Sequence, residues 1–146
     1  MKPSFPLSLS DIDIILEMAA LMNPQRNFKL TISGTGKVRL EPLEYSRIQP
    51  VTSQIKPEVV KDLLEAAMEI GFFEMAAEYD NESILSVTEK GFIKQEKWAI
   101  FDGVNQSFTI RLGKKSKSVR AYYGYPKRLD WFYRLILKNC GIESLR

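Results

Sequence analysis

The stretch QSFTIRLGKKSKSVRAYY, residues 106–123, contains two runs in which apolar and polar residues alternate. This period of two is typical of strands with one buried face. Because Gly113 separates the runs, the stretch predicts a β-hairpin. If Leu112 pairs with Lys117 across the turn, the apolar residues of both runs share one face. They are Phe108, Ile110, Leu112, Val119, Ala121 and Tyr123.

The same pattern occurs earlier, in NFKLTISGTGKVRLEP, residues 27–42, and predicts another hairpin. Its turn, SGTGK (33–37), is similar to part of a phosphate-binding loop. It lacks the full motif spacing, and a strand follows it where a helix is required, so we interpret it as a hairpin turn. Pro42 indicates that the second strand ends there or lies at an edge.

Two segments have the apolar spacing of amphipathic helices. The first begins at Pro57 and ends at Gly71, and the second begins at Pro126 and ends at Gly141. The apolar stripe of the first is Val59, Val60, Leu63, Leu64, Ala67 and Ile70. That of the second is Leu129, Phe132, Tyr133, Ile136, Leu137 and Cys140.

Other parts of the chain have weaker patterns. In residues 11–20 the apolar positions fit either a strand or a helical face, and both alternatives stay open. Residues 78–90 indicate a mixture of loop and short strand, and residues 92–101 a strand before an Asp102–Gly103 turn.

Hairpins combined with two amphipathic helices predict an α+β fold, in which a single antiparallel sheet of β-hairpins carries both helices on one face. We expect one domain over residues 1–146, with residues 1–9 as an extended lead-in and residues 142–146 as a frayed tail.

The net charge of +3 is unevenly distributed along the 146 residues. Residues 113–134 contain seven Lys and Arg and one acid, Asp130, whereas the rest of the chain carries −3. A single cysteine fits a reducing compartment, and no apolar run approaches the roughly 18 residues of a membrane span. A cytoplasmic location without membrane contact is therefore expected.

The residue types argue against an enzyme. The chain contains no histidine, which removes the commonest general base and metal ligand, and Cys140 lies on an apolar helical face. Glu78, Asp80 and Glu82 could hold a cation, but they lack the spacing of a calcium loop and are interpreted as solvated charges. We expect no catalytic residue, no metal and no cofactor.

The basic hairpin is the candidate binding surface. Its candidate residues are Arg111, Lys114, Lys115, Lys117, Arg120 and Tyr122. Arg111, Arg120 and Tyr122 are predicted on the outer sheet face, beside the lysines at the tip. The favoured hypothesis is a non-enzymatic interaction domain that contacts a protein partner, or a second copy, through an exposed sheet face or edge. The alternative is nucleic-acid binding through residues 111–122, because cations beside an aromatic ring suit single strands.

The chain also resembles, over residues 12–140, a family of small bacterial domains of unknown function. The shared features are the GTGKVRLE strand, the helical segment from Pro57 to the Phe72–Phe73 pair, and the tyrosine that follows it, Tyr79. A further shared feature is a Lys/Val strand followed by a YYG-x-P corner. The last element corresponds to Gly113, Lys117, Val119, Tyr122, Tyr123, Gly124, Pro126 and Leu129.

This resemblance implies an α+β domain with a structural corner, a strand over residues 12–18 and no established reaction. Two segments depart from the family. LMNPQRNF replaces a Cys-x-Gly-x-Cys-Pro-like segment, and FDGVNQSF replaces a Thr-Asp-x-Pro-like one. If either segment carries the family's activity, this chain has lost it.

Overall fold

The computed structural model describes residues 6–20, 24–79, 82–98, 104–122 and 126–145. The strands in these ranges are β1 (Ile12–Ala20), β2 (Phe28–Ser33), β3 (Lys37–Pro42), β4 (Val51–Gln54), β5 (Glu78–Tyr79), β6 (Glu82–Val87), β7 (Ile93–Trp98), β8 (Val104–Leu112) and β9 (Lys115–Tyr122). The helices are α1 (Pro57–Glu69) and α2 (Lys127–Asn139).

The main sheet has the order β4-β3-β2-β1-β8-β9-β5. All neighbours are antiparallel except β5, which pairs with β9 in parallel over two residues. The predicted α+β fold with an antiparallel sheet is confirmed. The prediction did not include β4, nor the separate two-stranded sheet that β6 and β7 form.

Residues 12–20, for which the sequence left strand and helix open, form the central strand β1. Its buried side chains alternate at Ile12, Ile14, Leu16 and Met18. β2 pairs with it on one side and β8 on the other, so its backbone groups gain partners along both edges. In a helix these four side chains would not share one face.

Both helices contribute to one core with the inward side chains of the sheet. α1 buries Val60, Leu63, Ala66 and Ala67, and α2 buries Leu129, Phe132, Tyr133, Ile136 and Leu137. Phe132 connects the layers, because its ring lies 6.1 Å from that of Phe108 in β8 and 6.3 Å from that of Phe72, which follows α1. The predicted helical stripes therefore belong to this core except for Val59, and Ala66 is buried although it was not in the predicted stripe.

The turn between β2 and β3 confirms that SGTGK is a hairpin turn. The backbone passes closely at Gly34, where an added Cβ would lie 1.4 Å from the Leu9 carbonyl oxygen. Gly36 has a φ of +95° and accepts a hydrogen bond from the Ile55 amide. Both glycines are therefore explained by the packing and backbone conformation of the turn, without a role in phosphate binding.

The residues that follow α2 contact the rest of the chain as far as Leu145. Ile142 packs on the core and Glu143–Leu145 form a 3-10 turn, and the frayed tail over residues 142–146 stays a prediction. No helix in the described ranges is long and apolar enough to cross a membrane. The predicted Asp102–Gly103 turn and the corner residues Tyr123 and Gly124 lie outside the described residues.

Candidate interaction surface

The hairpin of β8 and β9 closes with a tighter turn than the sequence predicted. Leu112 pairs with Lys115, so Gly113 and Lys114 form a two-residue turn. The predicted pairing of Leu112 with Lys117 is wrong, and Lys117 instead lies opposite Ile110. Gly113 has a φ of +63°, which suits short hairpin turns.

The buried face of this hairpin was nevertheless predicted correctly. Moving the register by two residues keeps every side chain on the same face of the sheet. Val119 and Ala121 are accordingly buried beside Phe108 and Ile110.

The candidate basic residues lie on both faces of the sheet, rather than on one. Lys115 and Lys117 have the same strand parity as buried Val119, so they lie on the helix-bearing face. Arg120 lies on the outer face, as predicted. Lys117 is therefore not a tip residue, and the sheet separates Lys115 and Lys117 from Arg111 and Arg120.

Two of the six candidate residues lie at the limits of β9, Lys114 just before it and Tyr122 at its end. Lys114 is exposed in the turn itself. Tyr122 ends β9 opposite Asn105, and its side chain lies outside what the structure describes.

Arg111 is held in place by β1. Its Nε donates to Asp13 Oδ2 at 2.7 Å, and its Nη2 lies 2.6 Å from the same oxygen. Its Nη1 donates to the carbonyl oxygen of Gly113, a residue of the hairpin turn. Because its charge is already paired, Arg111 is a structural residue of the outer face more than a free cation.

The lysines are different, because no salt bridge joins Lys114, Lys115 or Lys117 to a carboxylate in the described part of the chain. Lys117 Nζ donates to the carbonyl oxygen of Met75 at 2.7 Å. A neutral carbonyl satisfies one donor without cancelling the charge, so all three lysines keep a net positive charge at this end of the hairpin.

β9 is only partly covered at its free edge. β5 pairs with Arg120 and Ala121, and the Arg120 amide donates to the Ala77 carbonyl oxygen at 2.8 Å. Backbone groups that face one edge recur at every second residue, so those of Ser116 and Ser118 point the same way. Both serines are exposed, and among the described residues no backbone partner meets them on that side.

The outer face of the sheet is polar and carries pairs of oppositely charged side chains. Glu17 lies across from Lys29, with 4.0 Å between their charged groups, in addition to the Asp13–Arg111 pair. A shallow depression of about 410 Å³ is lined by Glu17, Ala19, Asn105, Ser107 and Arg120. One acid and one base in a shallow depression do not by themselves make a catalytic site.

The remaining sequence candidates do not converge on chemistry. Cys140 packs against the core, and burial raises the pKa of its thiol to about 11, so the reactive thiolate is scarce at neutral pH. Within the ranges that the structure describes, no three side chains of His, Cys, Asp or Glu are close enough to hold a metal. Asp80 of the predicted acidic cluster lies outside these ranges.

One exposed feature was missed from the sequence. Val87, Phe92 and Ile93 are 68–75% exposed at the tip of the β6–β7 hairpin. The Thr88 amide donates to the Phe92 carbonyl oxygen and closes this turn at 2.8 Å. Apolar residues in the sequence resemble core residues, so only the position of the hairpin identifies them as exposed.

Comparison of the chain with family models, with curated proteins and with solved structures gave no match. The resemblance to a family of small bacterial domains therefore stays a prediction, and functional inference depends on the surface described above.

Proposed function

We propose that this chain is a non-enzymatic interaction domain, located in the cytoplasm, that binds a protein partner through the open edge of β9. One observation carries the proposal: the backbone groups of Ser116 and Ser118 face the edge, and no described residue pairs with them there. An unpaired strand edge is a template on which another extended chain can add as a further strand.

Other parts of the sheet support this role less well. The opposite edge strand, β4, has only four residues, and Pro50 and Pro57 lie close to its two ends. Prolines beside a short edge strand discourage further pairing. The outer face has paired charges and no large apolar patch among its described residues, so it offers less than the edge.

A non-enzymatic role is favoured by the residues present. The sequence contains no histidine, and the pKa of the Cys140 thiol is raised by burial, which opposes a nucleophilic role at neutral pH. The one cysteine is also the reason that we place the chain in a reducing compartment.

The proposal can be tested by selecting binders from a displayed library of random peptides. Wild type should enrich a peptide set that a Ser118→Pro variant does not retain. The proline removes an amide that faces the edge and leaves the β8 ladder intact, so the fold should survive. Circular dichroism of the variant checks this. Enrichment that is identical for both proteins, or absent for wild type, contradicts edge binding.

Nucleic-acid binding is the alternative, and the local charge of the hairpin is what supports it. The separation of its cations onto two faces and the pairing of Arg111 with Asp13 weigh against it. Labelled single-stranded RNA and DNA should therefore show no tight binding at moderate salt. Tight binding that a Lys114→Glu/Lys115→Glu/Lys117→Glu variant abolishes would favour this alternative over a protein partner.

A further inference from the structure

We infer that the segment recognised by the β9 edge is an extended acidic stretch of the partner, which adds as a strand beside residues 115–118. This inference rests on the proposed function and specifies the partner's chemistry.

The first step is the space available. β5 reaches only Arg120 and Ala121, so the preceding half of β9 has β8 along one edge and no described strand along the other. The backbone near Met75 approaches Lys117, as their 2.7 Å hydrogen bond shows, and it limits the site on the side of β5. The open part spans the four residues from Lys115 to Ser118, or roughly 13 Å at about 3.3–3.4 Å per residue.

The second step is the backbone pairing. Ser118 and Thr109 face each other as a non-hydrogen-bonded pair, in which side chains lie close together. Their hydroxyl oxygens are 2.9 Å apart across the strands, which agrees with this pairing. The amides and carbonyls of Ser116 and Ser118 are then available to an incoming strand. Main-chain hydrogen bonds of this kind supply affinity without regard to sequence.

The third step is charge. From Gly113 to Ala121 the chain has four bases and no acid, and no salt bridge to Lys114, Lys115 or Lys117 is found in the described structure. A basic or neutral strand added here would be repelled by these cations or would leave them without a counter-charge. Acidic side chains would satisfy them.

The spacing of the lysines also specifies a pattern. Lys115 and Lys117 lie two residues apart on the same face of β9. Side chains of an added strand that face them must recur at every second residue as well. The recognised stretch should therefore carry acids in an acid–x–acid pattern, with the intervening residues on the face of Ser116 and Ser118.

The test uses a labelled peptide of about eight residues in which glutamate alternates with valine, a length that covers the open edge with about two residues to spare at each end. One comparison peptide has lysine in place of glutamate. A second keeps the glutamates but is N-methylated at alternate amides, which blocks strand pairing on one edge. Binding to the full chain is followed by fluorescence anisotropy at low and moderate salt.

The glutamate peptide should bind, and both comparison peptides should bind at least about tenfold more weakly. A Lys114→Glu/Lys115→Glu variant should lose about tenfold in affinity, and it leaves the Lys117–Met75 contact intact. The matched control is Lys37→Glu/Lys90→Glu, because both lysines are exposed and neither lies in β9. Its affinity should stay within about twofold of wild type.

The outcomes separate the two proposals. If the lysine peptide binds as well, or if library peptides that depend on the edge contain no acids, the acidic inference is wrong and edge binding stands. If no peptide shows a dependence on Ser118→Pro, both fail. A concentration-dependent dimer that Ser118→Pro dissociates would identify a second copy as the partner and overturn the acidic segment, because the two lysine-rich edges would meet.

Discussion

Replacing Phe132 with alanine should remove a large part of the stability of the fold. The Phe132 side chain is fully buried in α2, and its ring lies 6.1 Å from the Phe108 ring and 6.3 Å from the Phe72 ring. These three residues belong to the helix, the sheet and the segment after α1. The substitution therefore loosens the contact between layers, rather than a local part of one element.

The magnitude follows from the area and the cavity. A buried phenylalanine removes about 200 Å² from water, which at ~25 cal/mol per Å² corresponds to an upper value of about 5 kcal/mol. Measured phenylalanine-to-alanine losses in cores are about 3–5 kcal/mol. For a chain of this size, about 4 kcal/mol lowers the Tm by roughly 8–16 °C.

The assay is urea unfolding at 25 °C, followed by circular dichroism, with the slope of the transition compared between variants. Trp131→Ala is the matched control, because Trp131 is the adjacent residue of α2 and is 45% exposed. Its loss should stay below about 1 kcal/mol. A Phe132→Ala loss no larger than that of Trp131→Ala would refute the packing of α2 on the sheet.

Further predictions concern two single contacts and the burial of one thiol. Gly34→Ala should cost about 2 kcal/mol or more in urea unfolding, because the added Cβ would clash with the Leu9 carbonyl oxygen, and a stability equal to wild type would contradict this close approach. A double-mutant cycle on Asp13→Asn and Arg111→Gln should give a coupling free energy of about 0.5–1 kcal/mol, since the pair is partly exposed, and zero coupling would show that the contact does not stabilise the sheet. Burial raises the pKa of the Cys140 thiol from 9.0 to about 11, so at pH 8 its alkylation in the folded chain should be roughly a hundredfold slower than in urea. The raised pKa of the thiol stabilises the folded state below pH 9, and this stabilisation is lost as the pH rises towards 11. The free energy of unfolding of wild type should therefore fall across this range relative to that of Cys140→Ala. Equal pH profiles of the two proteins would argue against burial of the thiol.

Local periodicity was sufficient to predict the helices and the buried faces of several strands. The apolar stripe of α2 and the alternation through Phe108 and Ile110 depend on spacing within one element, and both are buried as predicted. Even the wrong register at Leu112 preserved these faces, because a displacement of two residues does not reverse a strand.

Contacts between distant segments were not predictable in this way. Whether residues 12–20 form a strand was decided by β2 and β8, which supply hydrogen-bond partners on both sides. β4 escaped prediction because all four of its residues are exposed, so it has no apolar alternation that a sequence pattern could show.

The same distinction applies to the candidate site. The sequence by itself determined that the chain has no histidine, that its positive charge is concentrated in residues 113–134, and which side chains of β2, β3, β8 and β9 share a face. Only the tertiary structure decided which of these cations is paired. Arg111 meets an aspartate 98 residues away in the chain, whereas Lys114 and Lys115 meet no carboxylate among the described residues. Pairing depends on strand order and register, which are set by packing of the whole sheet and not by the residues beside each charge.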